Sequence, residues 1–125
     1  MPANQVFKVY GSRIETFPFG KVIAEGITSV DLSGHTAGQS GFLVESKGEK
    51  LLIAGDFLHI GALQFTHPEY SLVYDSDIEM AVKTRKQTLE NASTEKILLA
   101  GAHIPFPGIG HVSIANPGYI FTPVK

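Results

Sequence analysis

Three side chains in this sequence could do metal chemistry, and they share one setting. His35 lies at the centre of a glycine-rich stretch, DLSGHTAGQSG (31–41), between the apolar runs ITSV and FLV. Asp56 follows the run KLLIAG, and His103 closes the run KILLAGAH. Each sits just past an apolar run and near a glycine, so three strands pointing the same way would bring all three to one edge of a sheet. Two imidazoles and a carboxylate form a donor set that suits zinc, iron or manganese. The separations, 21 residues from His35 to Asp56 and 47 from Asp56 to His103, follow no local motif, so convergence depends on the fold. The plainer alternative stays open: a histidine that hydrogen-bonds within its turn, and an aspartate that caps or turns the chain after a strand.

Other candidates are less directly placed. His59, three residues past Asp56, can reach the same site, but it reads as a residue beside the site or on the surface rather than a ligand. His111, after PFPGIG, stands in the same relation to His103, and His67, before Pro68, is expected to be exposed. Tyr70 and Tyr74 could orient a substrate oxygen or simply pack as aromatic rings. The sequence contains no Gly-x-Ser-x-Gly elbow, phosphate-binding P-loop or dinucleotide-binding glycine fingerprint.

The elements that must position these residues follow from hydrophobic periodicity. QVFKVY (5–10) and RIETFPF (13–19) alternate as half-buried strands do. KVIAEGITSVDL (21–32) predicts two short strands broken at Gly26, and GFLVESKGEKLLIAGD (41–56) predicts a hairpin turning at Lys47-Gly48. LHIGALQF (58–65) fits a short helix or a loop. Ser76 and Glu79 have the spacing of a capping box that opens a helix to about Ala92. Ile78, Ala81, Val82, Leu89 and Ala92 fall on one face of that helix. Arg85 shares their stripe and must bury its stem and pair its head. KILLAGAH, the segment after Gly108-Ile-Gly-His111, and GYIFTPV predict three closing strands. The order predicts an α/β layer: a mixed sheet with one long helix on one face.

Composition bounds the rest. A chain of 125 residues fits one domain. Its 43% apolar and 18% charged residues suit an ordinary globular core. A net charge of −2 without basic clusters argues against nucleic acid or an anionic membrane as partner. The absence of cysteine removes disulfides and thiolate metal sites. No apolar run reaches membrane-spanning length and the first residues lack a leader-like apolar core, so a cytoplasmic location is expected.

Taken in order, GHTAGQSGFLVES, LLIAGDFLH, the helical segment YDSDIEMAVKTRKQTLE and ILLAGAHIPFPGIGHV resemble the C-terminal half of metallo-β-lactamase-fold hydrolases, from about Val22 to the end. The resemblance implies that His35 is a ligand of a first metal, Asp56 a bridge between two metals and His103 a ligand of the second. His59 and His111 remain, from their nearness in sequence to Asp56 and His103 alone, candidates to stand behind these ligands. That family commonly has Gly-His-Thr-Pro-Gly-His where this chain has Ala37 and Gln39, neither at a ligand position. Zinc is the expected metal, with iron or manganese as alternatives. The reaction class implied is metal-dependent hydrolysis of a small ester, thioester, lactone or lactam.

The same resemblance implies a deficit. The family's main motif, His-x-His-x-Asp-His, belongs to the N-terminal half, yet the five histidines here are at 35, 59, 67, 103 and 111, and no two are separated by a single residue. The expectation is therefore half of an αββα sandwich, truncated at its front, with an incomplete metal site. Its bare sheet face would be covered by a homodimer or by a separate partner chain. The competing expectation is a non-catalytic homodimeric binding or structural module derived from that fold.

Overall fold

The structure is a computed structural model that describes residues 3–125. A helix, α1 (Ala3–Tyr10), and one 3-10 turn (Gly11–Arg13) lead into β1 (Val22–Ala24), β2 (Ile27–Asp31), β3 (Ser40–Ser46) and β4 (Glu49–Ile53). A short helix α2 (Gly61–Gln64) and the long helix α3 (Ile78–Thr94) follow, then β5 (Leu98–Ala100), β6 (Ile109–Ile114) and β7 (Tyr119–Pro123). The seven strands form one sheet in sequence order. Every neighbouring pair is antiparallel except β4 and β5, which run parallel and are joined through α3. The β3–β4 hairpin closes at Lys47 (φ 52°) and Gly48 (φ 84°), the two left-handed residues that a tight hairpin turn requires.

The pleat assigns the two faces of the sheet. Leu43, Leu52 and Leu99 stand opposite one another across β3, β4 and β5. Leu52 and Leu99 join Leu32, Ala54, Leu89 and Ala92 in the core beneath α3. The next row, Phe42, Ile53, Ala100 and Ile109, points the other way, as does the row Val44, Leu51 and Leu98. That second face is apolar and, among the described residues, carries no helix; Phe17 reaches it, with its ring 6.1 Å from that of Phe42. Ile53 is 44% exposed there.

Three expectations are corrected. Residues 5–10 are helical rather than extended: Val6, Val9 and Tyr10 also fit helical spacing, and among the described residues no strand pairs with them. Phe7, Val9 and Tyr10 are exposed. Residues 13–19 form no strand; Gly20 and Lys21 instead bond to Ser29 of β2 through backbone groups. The cap of α3 is Asp77, whose carboxylate accepts from the Met80 N–H at 2.9 Å. Ser76, the expected cap, donates instead to the His35 carbonyl from both its N–H (3.1 Å) and its hydroxyl (2.8 Å). Ile78 consequently lies before the buried stripe and is exposed, whereas Ala81, Leu89 and Ala92 are buried. Arg85 exceeds the expectation, being wholly buried.

The start of α3 packs directly on the His35 turn. Asp77 N–H donates to the Gly34 carbonyl (3.0 Å) and the Thr84 hydroxyl to the Ser33 carbonyl (2.7 Å). Gly34 has φ 137°, and a Cβ there would overlap the backbone of Ala81. Gly34→Ala should therefore lower unfolding free energy by roughly 2–4 kcal/mol in denaturant titration, from strain and steric displacement combined. Gly38→Ala, where a Cβ meets nothing within 4 Å, should be close to neutral. Equal losses at the two positions would refute this packing.

Candidate metal centre

Strand direction brings the three candidate residues together. β2 and β4 are both antiparallel to β3 and so run the same way; β5 is parallel to β4. The C-terminal ends of β2, β4 and β5 thus lie along one sheet edge, where His35, Asp56 and His103 begin the following loops. Backbone bonds knit these loops. Ala102 N–H donates to the Gly55 carbonyl at 3.1 Å and Ala54 N–H to the Ala100 carbonyl at 2.8 Å. Gln39 links the His35 turn to the Asp56 loop: oriented to satisfy its surroundings, its amide oxygen accepts from the N–H of Phe57 (3.0 Å) and Asp56 (3.2 Å).

The Asp56 carboxylate faces two imidazoles with separate oxygens. Its Oδ1 is 3.3 Å from His103 Nε2 and its Oδ2 is 3.8 Å from His35 Nε2. Two donors on one tetrahedral zinc, at bond lengths of about 2.0–2.1 Å, stand about 3.3 Å apart. The first spacing matches that edge and the second is slightly open. Nitrogen and carboxylate donors fit zinc, iron or manganese, and one Asp56 oxygen is turned toward each imidazole.

Sequence alone leaves His59 beside or outside this set, but the structure puts it in the centre. Its ring lies 4.6 Å from that of His35 and 4.7 Å from that of His103. His59 can join Asp56 and His103 around one ion, or His35 and Asp75 around another. Its Nδ1 is buried without a hydrogen-bond partner. The segment is anchored by Gln64, whose side-chain oxygen accepts from His59 N–H (2.7 Å) and Ile60 N–H (2.9 Å) while its amide donates to the Tyr70 carbonyl (2.9 Å). Burial, then the charges of His35 and His103, hold the His59 pKa below its usual value against the pull of Asp56 and Asp75.

Asp75 is the residue that sequence reasoning misses. It is buried, and its Oδ1 lies 3.1 Å from His35 Nδ1. Its Oδ2 accepts from the Ser71 hydroxyl (2.6 Å) and the Arg85 guanidinium (3.4 Å). Burial raises the Asp75 carboxyl, but the hydrogen bonds from Ser71 and His35 and the charge of Arg85 outweigh it and hold the pKa below normal. The available signal was Arg85 itself, since a guanidinium on a buried stripe demands an anion.

His111 joins neither cluster; it lies exposed on β6, opposite Thr122. The His67 side chain is 37% exposed, pairing with Glu69 at 3.2 Å and stacking on Tyr70. Tyr74 is exposed, and the Tyr70 carbonyl, rather than its hydroxyl, meets the interior. No helix among the described residues is long and apolar enough to cross a membrane.

Neither a family model nor a curated protein matches the chain in sequence. Solved structures do. A hydrolase described as AbOPH in the β-lactamase superfamily aligns over 98% of this chain and 43% of its own length, at 32% identity and TM-score 0.90. AidC, a dizinc quorum-quenching lactonase solved with a product, aligns over 97% of this chain and 41% of its own, at 25% identity and TM-score 0.89. A probable metal-dependent hydrolase from Staphylococcus aureus shares the fold at 17% identity and TM-score 0.71. The chain thus spans less than half the length of these proteins.

The low His59 pKa has a stability consequence. The folded chain binds a proton at His59 more weakly than the unfolded chain, whose value is 6.5. Folding is therefore opposed once pH falls through 6.5, and stability rises with pH across that window. For metal-free protein, the denaturant midpoint should fall between about pH 7.5 and about pH 5.5, and His59→Phe should flatten that fall. An unchanged slope in His59→Phe would exclude this source.

Proposed function

We propose that this chain, which carries the fold of part of a metallo-β-lactamase-superfamily hydrolase, supplies His35, Asp56 and His103 to the metal centre of a hydrolase acting on a small ester, thioester, lactone or lactam. The observation that carries the reading is Asp56, which offers one carboxylate oxygen to each side, toward His35 at 3.8 Å and toward His103 at 3.3 Å. The dizinc lactonase among the structural neighbours supports zinc and the lactone class.

Zinc held by these donors would polarise a substrate carbonyl and lower the pKa of water. The chain's own residues do the positioning. Gln39 and Gly55 hold the Asp56 loop against its neighbours, and the α3 terminus holds the His35 turn. His59, kept neutral by burial, fills the space between His35 and His103 without adding charge.

Three residues shared between two ions leave each short of four protein donors. The open apolar face of the sheet suggests where completion comes from: a second copy of this chain, or a separate partner chain, packed sheet to sheet. A second reading, a non-catalytic homodimeric module with a vestigial site, is favoured by the lack of any His-x-His pair in the sequence.

Elemental analysis combined with light scattering separates the two. The hydrolase reading expects a dimer or larger assembly with roughly one tightly held zinc, iron or manganese per chain. His35→Ala and His103→Ala should then lose the metal, and lactone or ester hydrolysis should fall to background. A folded, metal-free dimer without hydrolysis would overturn it in favour of the module.

A further inference from the structure

We propose that Asp75, stationed by Arg85, is the positioning residue for His35: it accepts the Nδ1–H and so leaves the Nε2 lone pair facing Asp56. This rests on His35 being a metal ligand only for its functional consequence; the tautomer itself follows from geometry.

His35 Nδ1 lies 3.1 Å from Asp75 Oδ1, while Nε2, on the far side of the ring, lies 3.8 Å from Asp56 Oδ2. A carboxylate can only accept, so the Nδ1 edge carries the proton, while Asp56 Oδ2 at 3.8 Å lies beyond hydrogen-bond distance of Nε2 and claims none there. The neutral ring then has its lone pair at Nε2. A histidine that donates one nitrogen to a carboxylate and presents the other to a metal has its tautomer and ring angle fixed before the metal arrives.

Asp75 is placed to do this rather than to bind metal itself. Its side chain is 1% exposed, and both oxygens are already engaged: Oδ1 with His35, and Oδ2 with Ser71 at 2.6 Å and Arg85 at 3.4 Å. Arg85, 0% exposed, is immobilised by three further bonds, from Nε to the Phe57 carbonyl (3.0 Å) and from Nη1 to the carbonyls of Pro68 (3.0 Å) and Tyr70 (2.7 Å). A carboxylate held by so rigid a fork cannot swing toward the cluster without leaving that charge unpaired. The relay therefore runs from helix α3 through Arg85 and Asp75 to the outer nitrogen of His35.

The test uses the full chain. Long-range ¹H–¹⁵N imidazole spectra of the metal-free wild type should show His35 in the Nδ1–H form at a pH where it is neutral. Zinc affinity, by competition with a chromogenic chelator, is then compared for wild type, Asp75→Ala and Asp75→Asn. Asp75→Ala should mix the tautomers and weaken zinc about 10- to 100-fold. Asp75→Asn, which keeps an acceptor oxygen, should recover part of both. An Nε2–H tautomer in wild type overturns the proposal without reference to any variant, even if Asp75→Ala does not fold. Folded variants with wild-type zinc affinity would also overturn it. A wild type with the Nδ1–H tautomer but no zinc binding would support the Asp75 assignment and instead refute the metal reading.

Discussion

One buried guanidinium holds the site side of this molecule together. Arg85 has no contact with water, so its charge must be matched inside. It is matched by the Asp75 carboxylate and by the carbonyls of Phe57, Pro68 and Tyr70. Those four acceptors span the long connection between β4 and α3, so one side chain fixes a segment with little regular structure of its own. Lysine could not substitute: its single ammonium cannot reach acceptors along two edges of a planar fork. Deleting one member of such a buried pair typically costs about 3–5 kcal/mol, because the partner's charge is left unmatched. The connection passes from Phe57, the residue after Asp56, through His59 to Asp75, so stability and site geometry depend on the same bonds.

The second constraint is strand direction. His35, Asp56 and His103 are far apart in sequence because two different returns separate them. Between His35 and Asp56 the chain runs down β3 and back up β4; between Asp56 and His103 it crosses through α3 to reach β5 in parallel. Both returns restore the original direction, so every loop opens at the same edge. Side chains from three separate loops need mutual bracing, supplied here by short backbone bonds and by the Gln39 amide. Gln39 is one of the positions where this sequence departs from the pattern it resembles. Its bonds to the Asp56 loop give it a structural role beside the metal-binding candidates.

What the sequence reveals follows from how local the determining physics is. The β3–β4 hairpin is legible because Lys47-Gly48 and two β-rich runs specify it within a dozen residues. The three strand ends are legible because each is an apolar run stopped by a glycine. The strand through Leu99 and the helix stripe of Ala81, Leu89 and Ala92 follow for the same reason. QVFKVY misleads because six residues fit both periods and only a partner strand decides. The α3 cap shifts from Ser76 to Asp77 because the His35 carbonyl, 41 residues away, takes both Ser76 donors. His59 and Asp75 escape for a related reason: their importance lies in ring stacking and burial created by the loop that Arg85 folds, and no spacing in the sequence encodes that loop's path.

The two faces of the sheet carry a final argument. A sheet with one face in water alternates apolar and polar residues along each strand. Here the inner strands do not: Leu51, Leu52 and Ile53 run unbroken in β4, as do Leu98, Leu99 and Ala100 in β5. Such strands belong to sheets covered on both sides. Helix α3 covers the side of Leu52 and Leu99, leaving Leu51, Ile53 and Leu98 on the other, with Phe42, Val44 and Ile109 beside them. Of these, Ile53 is exposed and the others are half-buried, so apolar side chains on this face remain partly in water. The site edge adjoins that face, since the strands that lead to Asp56 and His103 carry its central rows. The unbroken apolar rows and the candidate metal-binding residues thus meet at one sheet edge, so any group packed on those rows would border the loops of Asp56 and His103.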